Sequence, residues 1–236
     1  MRRPTGADPM QLTLFDLDHT LLAGDSDHGW GEFVVRHGLV DAAEYGRKNA
    51  AFYAAYQAGN LDQAAFLEFC LEPLTRHTLE ELARWHRLFM TETIRPLMTA
   101  RGRALVAERL EAGDLVAIVT STNSFITRPI AQAFGVEHLI ATEPEVREGR
   151  YTGRVAGLPA FREGKVTRLH SWLEQRGLRL ADFGQSWAYS DSTNDLPLLE
   201  AVTNPVAVDP DDALRRIADQ RRWPIISLRD PMPPAA

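Results

Sequence analysis

Five short apolar runs, each bounded by polar residues, alternate with segments of helical spacing along most of this 236-residue chain. Runs of this length are typical of the strands of a buried parallel sheet. The five predicted strands are residues 12–15, 115–119, 139–142, 186–189 and 205–208. The predicted helices between and after them are residues 99–112, 124–134, 163–176, 193–202 and 211–219. The alternation of strand and helix predicts an α/β fold with a parallel sheet.

The segment from residue 24 to residue 95 interrupts this alternation, because it contains no convincing strand. Aromatic side chains recur there at helical spacing, and Thr78 to Glu81 forms a capping-box pattern that marks a helix start. We therefore predict a helical subdomain inserted after the first strand. The predicted parts are an α/β core (10–23 and 96–228), a helical cap (24–95) and two tails (1–9 and 229–236). Glycines within residues 141–158 also predict a surface β-hairpin.

Composition excludes several classes of function. The 26 basic and 32 acidic residues give a formal net charge of −6, and without a basic tract we expect no nucleic-acid partner. Cys70 is the single cysteine, so an intramolecular disulfide is impossible, and we predict a small buried side chain. No run approaches the roughly 18 apolar residues of a membrane span, and the start of the chain lacks the apolar region of a signal peptide. We therefore expect a cytoplasmic protein without membrane contact.

Two carboxylates follow the first predicted strand, in Asp16-Leu17-Asp18-His19-Thr20. Open α/β sheets bind their ligands at the carboxyl edge, which is where these side chains lie. A turn rich in helix-capping acids is the structural alternative for the pair.

Polar residues also follow two later strands. Thr120 and Ser121 end the second run just before a helix, where hydroxyls and backbone N–H groups make an anion site or an ordinary N-cap. Asp191 and Asp195 follow the 186–189 run, again before a helix. Lys165 opens another helix, which is unfavourable for the helix dipole and therefore indicates a role other than solvation.

In this order, Asp16 to Thr20, Thr120, Lys165 and the segment from Asp191 to Asp195 resemble the four signature motifs of the haloacid dehalogenase (HAD) superfamily of phosphatases. The resemblance covers about residues 10–228. The inserted helices resemble the cap of its phosphoserine-phosphatase-like subfamily IB. The stretches DLDHTLLAGDSDHGW and YTGR resemble bacterial members that include histidinol-phosphate phosphatases. The implied fold is a Rossmann-like three-layer core, with a parallel sheet and an inserted helical cap.

The resemblance implies a Mg²⁺-dependent phosphatase for a small phosphomonoester. Asp16 attacks phosphorus and forms an aspartyl-phosphate, while Asp18 is the general acid and then the general base. Asp16, Asp191 and the backbone carbonyl of Asp18 are the implied metal ligands. Asp195 is implied to orient Lys165 or the water ligands of the metal. The side chains implied to hold the phosphate are Thr120, Ser121, Lys165 and Asn194.

The cap is expected to select the substrate. In phosphoserine phosphatases an acidic residue soon after the nucleophile and a cap arginine bind the amino acid; here Asp25 stands nine residues after Asp16, and Arg47 is a candidate cation. Histidinol phosphate has an ammonium group and an imidazole but no carboxylate, so it needs acids or aromatics more than an arginine. Histidinol phosphate is the preferred substrate on these grounds, with packing or solvated turns as the structural alternative for each candidate residue. The candidates are Asp25, Asp27, His28, Trp30, Phe52 and Tyr53.

Other functions remain open at this point. Phosphoserine phosphatase is one alternative, and a phosphotransferase that passes the phosphoryl group to another alcohol is a second. A receiver-type signalling module also phosphorylates an aspartate at a sheet edge, but it needs neither an inserted cap nor Asp18. Dehalogenation needs neither Asp18 nor a metal, so it is also disfavoured. The oligomeric state cannot be read from the sequence.

Overall fold

A computed structural model describes residues 10–229. Its centre is a six-stranded sheet in the order β3-β2-β1-β6-β7-β8, in which all neighbouring strands are parallel. A separate pair, β4 and β5, is antiparallel. The strands are β1 (Gln11–Phe15), β2 (Leu115–Asn123), β3 (His138–Thr142), β4 (Pro144–Arg147), β5 (Arg150–Val155), β6 (Gln185–Ser190), β7 (Asn204–Val208) and β8 (Ile225–Ile226).

Ten α-helical segments occur in the described part of the chain. They are α1 (Ser26–Arg36), α2 (Ala42–Gln57), α3 (Gln63–Leu71), α4 (Leu79–Phe89), α5 (Arg95–Leu97), α6 (Ala100–Glu111), α7 (Ser124–Ala133), α8 (Glu163–Glu174), α9 (Leu196–Ala201) and α10 (Asp212–Arg221). Other helical turns lie at Leu17–Leu21, Glu72–Arg76, Met90–Ile94, Leu180–Asp182 and Thr193–Asp195.

Each face of the sheet has its own apolar core, because successive side chains of a strand point to opposite faces. Leu12 and Leu14 of β1 belong to a buried cluster with side chains of α8, α9 and α10. Phe15 belongs to the other cluster, with side chains of α1, α6 and α7. The predicted three-layer α/β fold with a parallel sheet is therefore confirmed.

The register of the sheet brings distant strand ends together. Phe15 pairs with Ile118 of β2 on one side and with Tyr189 of β6 on the other. Since all three strands run in the same direction, the polar residues that follow them meet at one edge.

The inserted segment is helical, as predicted. Its helices α1 and α4 pack on the core, where Trp30, Phe33 and Phe89 share a buried cluster with Phe15. A Cβ atom on Gly31 of α1 would collide with the side chain of Asn49, so this glycine allows α2 to approach closely. The predicted hairpin is β4–β5, and β5 contacts α3 and the Glu72–Arg76 turn.

Some local expectations differ from the structure. The helix predicted for residues 193–202 is a tight turn followed by the short α9. Asp195 has a non-helical backbone (φ −97°, ψ 8°), and α9 begins behind it with Pro197 in its first turn. Strand β8 has only two residues and was not predicted. Residues 1–9 and 230–236, assigned to tails, lie outside the described residues. No helix in the described range 10–229 is long and apolar enough to cross a membrane.

Candidate active site

Asp16 lies directly behind β1 and is 7% exposed. Its backbone N–H donates to the carbonyl of Tyr189 at 2.9 Å, which continues the ladder with β6. The chain then forms a wide helical turn at Leu17–Leu21, in which His19 has a φ of 57°. That left-handed conformation is uncommon for a residue with a side chain and is maintained here by surrounding contacts.

Arg229 supplies some of those contacts. Its guanidinium donates to the carbonyl oxygens of His19, Thr20 and Leu22, at 3.4 Å for Thr20 and 3.3 Å for Leu22. The same group lies 3.8 Å from Asp209. Arg229 was predicted to belong to the C-terminal tail, but its side chain contacts the turn that follows Asp16.

Lys165 is the cation of the site. It lies in the first turn of α8 and is 2% exposed, and its Nζ is 2.7 Å from Asp16 and 2.7 Å from Asp195. A Cβ atom on the preceding Gly164 would collide with the carbonyl of Pro159, so glycine is needed where the chain enters this helix. Burial lowers the pKa of Lys165, but the charges of the two carboxylates outweigh burial and raise it above its usual value.

Asp195 faces Lys165 from the start of α9. Burial raises its pKa to about 6, although Lys165 acts in the opposite direction. Ser190 donates a hydrogen bond to Asp195 at 2.8 Å. Asp195 therefore contacts Lys165, one of the two groups that it was predicted to orient, and the orienting role stays a prediction.

Thr20 joins Asp16 to Asp191. Its hydroxyl oxygen lies 3.1 Å from Asp16 Oδ2 and 2.9 Å from Asp191 Oδ1, so these two carboxylate oxygens are at most about 6 Å apart. The same hydroxyl accepts from the backbone N–H of Asp191 at 3.1 Å. Burial raises the pKa of Asp191 well above its usual range, and the charge of Asp16 raises it further.

Asp18 lies at the boundary between the core and the cap. Its two oxygens accept from the backbone N–H of Ser26 at 2.6 Å and from the hydroxyl of Thr122 at 2.8 Å. Burial and the charge of Asp25 raise the pKa of Asp18 to about 6. A carboxyl group with such a pKa both donates and accepts protons near neutral pH.

The core side of one cavity contains the remaining predicted phosphate ligands. Thr120, Ser121 and Asn194 line it together with Lys165, Asp16 and Asp18. Thr120 is 1% exposed, and its hydroxyl accepts from the backbone N–H of Thr122 at 3.2 Å. The Asn194 amide oxygen accepts from Arg162 at 3.1 Å.

The cap side of this cavity is acidic and aromatic. His28 stacks on Tyr53 with ring centroids 4.2 Å apart, and the Asn49 amide lies 3.1 Å from the His28 Nδ1. Asp25 lines the cavity and caps α1 by accepting from the His28 backbone N–H at 2.8 Å. The other cap residues that line the cavity are Asp27, Phe52, Tyr56, Leu61, Gln63, Phe66 and Leu67.

Two residues considered for substrate binding are not brought to the cavity. Arg47 is exposed on α2 and does not line it. Trp30 is 2% exposed and packs against Phe33, Phe89 and Phe125 in the core.

The described residues contain no group of three or more His, Cys, Asp or Glu side chains arranged to hold a metal. The implied Mg²⁺ site requires only two carboxylates, because its third protein ligand is a backbone carbonyl. Asp16 is buried and Asp191 is partly buried, and both contact one hydroxyl. Oxygen donors of this type fit a hard cation, which would also offset the repulsion between the carboxylates.

No site role was predicted for Thr20, Thr122 or Arg229. Thr20 and Thr122 contact carboxylates of the predicted site, and Arg229 contacts the turn after Asp16. Thr20 and Thr122 stand within the recognised motifs, so their position beside Asp16, Asp18 and Thr120 in the sequence could have indicated a place in the site. Nothing in the sequence around Arg229 indicates its contacts, since they join residues more than 200 positions apart.

Comparison with known proteins agrees with this geometry. Residues 13–200 match the family model of the haloacid dehalogenase-like hydrolases. A histidinol-phosphatase from Neisseria meningitidis serogroup C is 47% identical over 219 residues, which cover 92% of this chain and 99% of that protein. The phosphoserine phosphatase SerB1 of Mycobacterium tuberculosis is 30% identical over 227 residues, covering 94% and 73% of the two chains.

A crystal structure from Bordetella pertussis, of a protein with unknown function, matches with a TM-score of 0.90 and 52% identity. The match covers 94% of this chain and all of that one. The chain belongs to the haloacid dehalogenase-like hydrolase family and is a phosphatase of that family. This membership favours the phosphatase interpretation over a receiver-type signalling module.

Proposed function

We propose that this chain is a Mg²⁺-dependent phosphatase that hydrolyses histidinol phosphate through an aspartyl-phosphate on Asp16. The observation that carries the reaction is the buried contact of Lys165 with Asp16 and Asp195, beside Asp191 and Asp18. A cation among carboxylates at the edge of a parallel sheet suits the transfer of a phosphoryl group, whose charge is spread over several oxygens.

In the first step, a carboxylate oxygen of Asp16 forms a bond to phosphorus while the bond from phosphorus to the substrate alcohol breaks. Asp18 gives its proton to the departing alkoxide, for which a pKa of about 6 is suited. Thr120 and Lys165 donate hydrogen bonds to the phosphoryl oxygens, with Ser121 and Asn194 beside them. Because Asp195 shares Lys165 with Asp16, it orients the ammonium group.

In the second step, water attacks the phosphorus of the aspartyl-phosphate and Asp18 takes a proton from that water. The bond between phosphorus and Asp16 breaks, inorganic phosphate leaves, and both carboxyl groups return to their starting states. Asp16, Asp191 and the backbone carbonyl of Asp18 would hold Mg²⁺. When bound, the metal supplies positive charge that offsets the repulsion between the nucleophile and the anionic phosphate.

The chemistry of the cap side supports histidinol phosphate over phosphoserine. Acids and aromatic rings line that side, and no Lys or Arg of the described cap does so. A substrate carboxylate would therefore meet Asp25 without a compensating cation, which is costly in a buried site. An ammonium group is complementary to the acids of that side, and an imidazole ring is complementary to the stacked rings of His28 and Tyr53. The 47% identity to a histidinol-phosphatase also supports this choice.

The test is a panel of phosphomonoesters assayed with the purified protein and Mg²⁺. It should contain histidinol phosphate, phosphoserine and p-nitrophenyl phosphate at equal concentrations. We expect kcat/KM for histidinol phosphate to exceed that for phosphoserine by at least about tenfold, the ratio that corresponds to one net charge-assisted contact. A higher kcat/KM for phosphoserine would contradict the substrate, and no turnover of any ester would contradict the reaction.

A further inference from the structure

Asp27 is a buried carboxylate of the cavity for which the proposed chemistry has no use. It lies in the first turn of α1, is 7% exposed and lines the cavity. One oxygen, Oδ1, has no hydrogen-bond partner among the described residues. On the cap side the carboxylate is hydrogen-bonded to the thiol of Cys70 in α3, which is 5% exposed. Buried polar atoms without a partner are costly, so a donor on a bound ligand would stabilise this carboxyl group.

The other carboxylates of the cavity have their own partners. Both oxygens of Asp18 accept hydrogen bonds. Asp25 uses an oxygen to cap α1. The two carboxylates on the core side contact Lys165. Of the acids that line the cavity, Asp27 is the one with a buried oxygen that faces neither a donor nor a cation.

The charges around Asp27 favour a cation from outside the protein. Burial raises the pKa of Asp27 well above its usual range, and the negative charges of Asp25 and Asp18 raise it further. Lys165 is the one Lys or Arg side chain among the described residues that line the cavity, and it is already held between two carboxylates. A positively charged group on the ligand would supply a donor to Asp27 and relieve the repulsion.

We propose that Asp27 is a specificity-determining residue that binds the primary ammonium group of an amino-alcohol phosphate. The proposal rests on the proposed function and deepens it, because it assigns the contact that separates amine substrates from neutral ones. The Cys70 thiol contacts the carboxyl group from α3, and the small exposed part of Asp27 lines the cavity, where an ammonium group would supply its donor.

The test compares substrates that differ only in the amine. Histidinol phosphate and its deamino analogue, imidazolylpropyl phosphate, form one pair; phosphoethanolamine and ethyl phosphate form a second. The measured quantity is the ratio of kcat/KM for the amine to kcat/KM for the neutral partner. We expect Asp27→Asn to lower this ratio by at least about tenfold, because an amide keeps the shape but loses the charge-assisted hydrogen bond.

Asp41→Asn is the matched control. Asp41 is an exposed N-cap of α2 in the same cap, outside the cavity, so this substitution should leave the ratio at its wild-type value. Circular dichroism and thermal melting verify that each variant folds. If Asp27→Asn does not fold, Asp27→Ser is the second neutral variant.

Product inhibition provides a separate measurement with p-nitrophenyl phosphate as the reporter substrate. Histidinol should inhibit the wild type more strongly than its deamino analogue, and Asp27→Asn should lose that difference. An unchanged ratio in a folded Asp27→Asn variant overturns the proposal. The proposal is also overturned if the wild type shows no preference for the amine in either substrate pair and no difference in inhibition between histidinol and its deamino analogue. If histidinol phosphate is not hydrolysed but the second pair still shows an Asp27-dependent amine preference, the substrate of the proposed function is wrong and Asp27 keeps its role.

Discussion

The ammonium nitrogen of Lys165 lies 2.7 Å from Oδ1 of Asp16, although 149 residues separate the two along the chain. The other oxygen of Asp16 accepts from the hydroxyl of Thr20. Both oxygens of the proposed nucleophile are therefore oriented, and its charge is balanced inside a site where an isolated carboxylate would be costly.

The first prediction concerns this nucleophile. Asp16→Asn keeps the shape of the side chain and an oxygen that accepts from Lys165, but an amide does not attack phosphorus. Turnover of p-nitrophenyl phosphate should fall by roughly a thousandfold or more, as is seen when a nucleophile is removed. Circular dichroism should match the wild type. Activity within about tenfold of wild type would contradict the assignment of Asp16.

The role of Asp18 predicts a dependence on the leaving group. Alkyl alkoxides need a proton when they depart, whereas activated aryl oxides need one much less. Asp18→Asn should therefore lower kcat for an alkyl phosphate by about 100-fold or more, and kcat for an aryl phosphate by a much smaller factor. Equal losses for both esters would mean that Asp18 acts otherwise, for example only as an anchor for Ser26 and Thr122.

Much of this site could be predicted because its side chains stand at the ends of apolar runs. A run such as residues 12–15 predicts a buried strand, and parallel strands bring Asp16, Thr120 and Asp191 to one edge. Arg47 was predicted as a substrate-binding candidate, but it does not line the cavity. The helical spacing of this segment could have indicated which side Arg47 faces. Asn49 lines the cavity, and a residue two positions earlier on a helix points to the opposite side.

Contacts that depend on tertiary packing could not be predicted in this way. The hydrogen bond of Asp27 to Cys70 requires α1 and α3 to meet, and no local pattern specifies that meeting. Cys70 was predicted to be buried, which is confirmed, but its thiol faces a carboxylate as well as apolar neighbours. Arg229 illustrates the same limit, because it contacts a loop more than 200 residues earlier in the chain.

Arg229 is expected to position the loop that follows Asp16. Arg229→Ala removes donors from the carbonyls of His19, Thr20 and Leu22, so the turn that holds Asp18 should lose its geometry. We expect kcat to fall by roughly tenfold or more, since small displacements at a reacting centre are costly. Arg229→Lys should retain more of the wild-type kcat than Arg229→Ala but not all of it, because an ammonium group lacks the planar fork of donors. A loss of thermal stability with unchanged kcat would indicate a purely structural contact.

His86 predicts a pH effect on stability that is independent of catalysis. It is 4% exposed, and its Nε2 lies 2.9 Å from the carbonyl oxygen of Ile126. Burial lowers the pKa of His86, so the folded protein keeps the ring neutral while the unfolded chain takes up a proton below about pH 6.5. The contribution of neutral His86 to the free energy of unfolding is therefore complete above about pH 6.5. It is lost as the pH falls toward the pKa of His86 in the folded protein, which is lower.

The measurement for His86 is urea unfolding at several pH values. Glutamine keeps a side-chain donor but does not titrate, so the stability advantage of wild type over His86→Gln should shrink between pH 8 and pH 5. The other titrating groups are common to both proteins and cancel in the difference. An advantage that grows as the pH falls would contradict a neutral buried ring.

The last prediction concerns the metal. The contact of Asp16 and Asp191 with one hydroxyl keeps their nearest oxygens within about 6 Å, which is close enough for small side-chain movements to bring both onto one cation. EDTA should therefore stop turnover and Mg²⁺ should restore it. Ca²⁺ should restore little, because its larger and looser coordination would misplace Asp16 for in-line attack. Asp191→Ala should raise the Mg²⁺ concentration needed for half activity by at least about tenfold, because one charged ligand is lost. Calorimetric titration of the unreacted protein with Mg²⁺ separates binding from catalysis: weaker binding in Asp191→Ala supports a ligand role, and equal binding in the two proteins contradicts it.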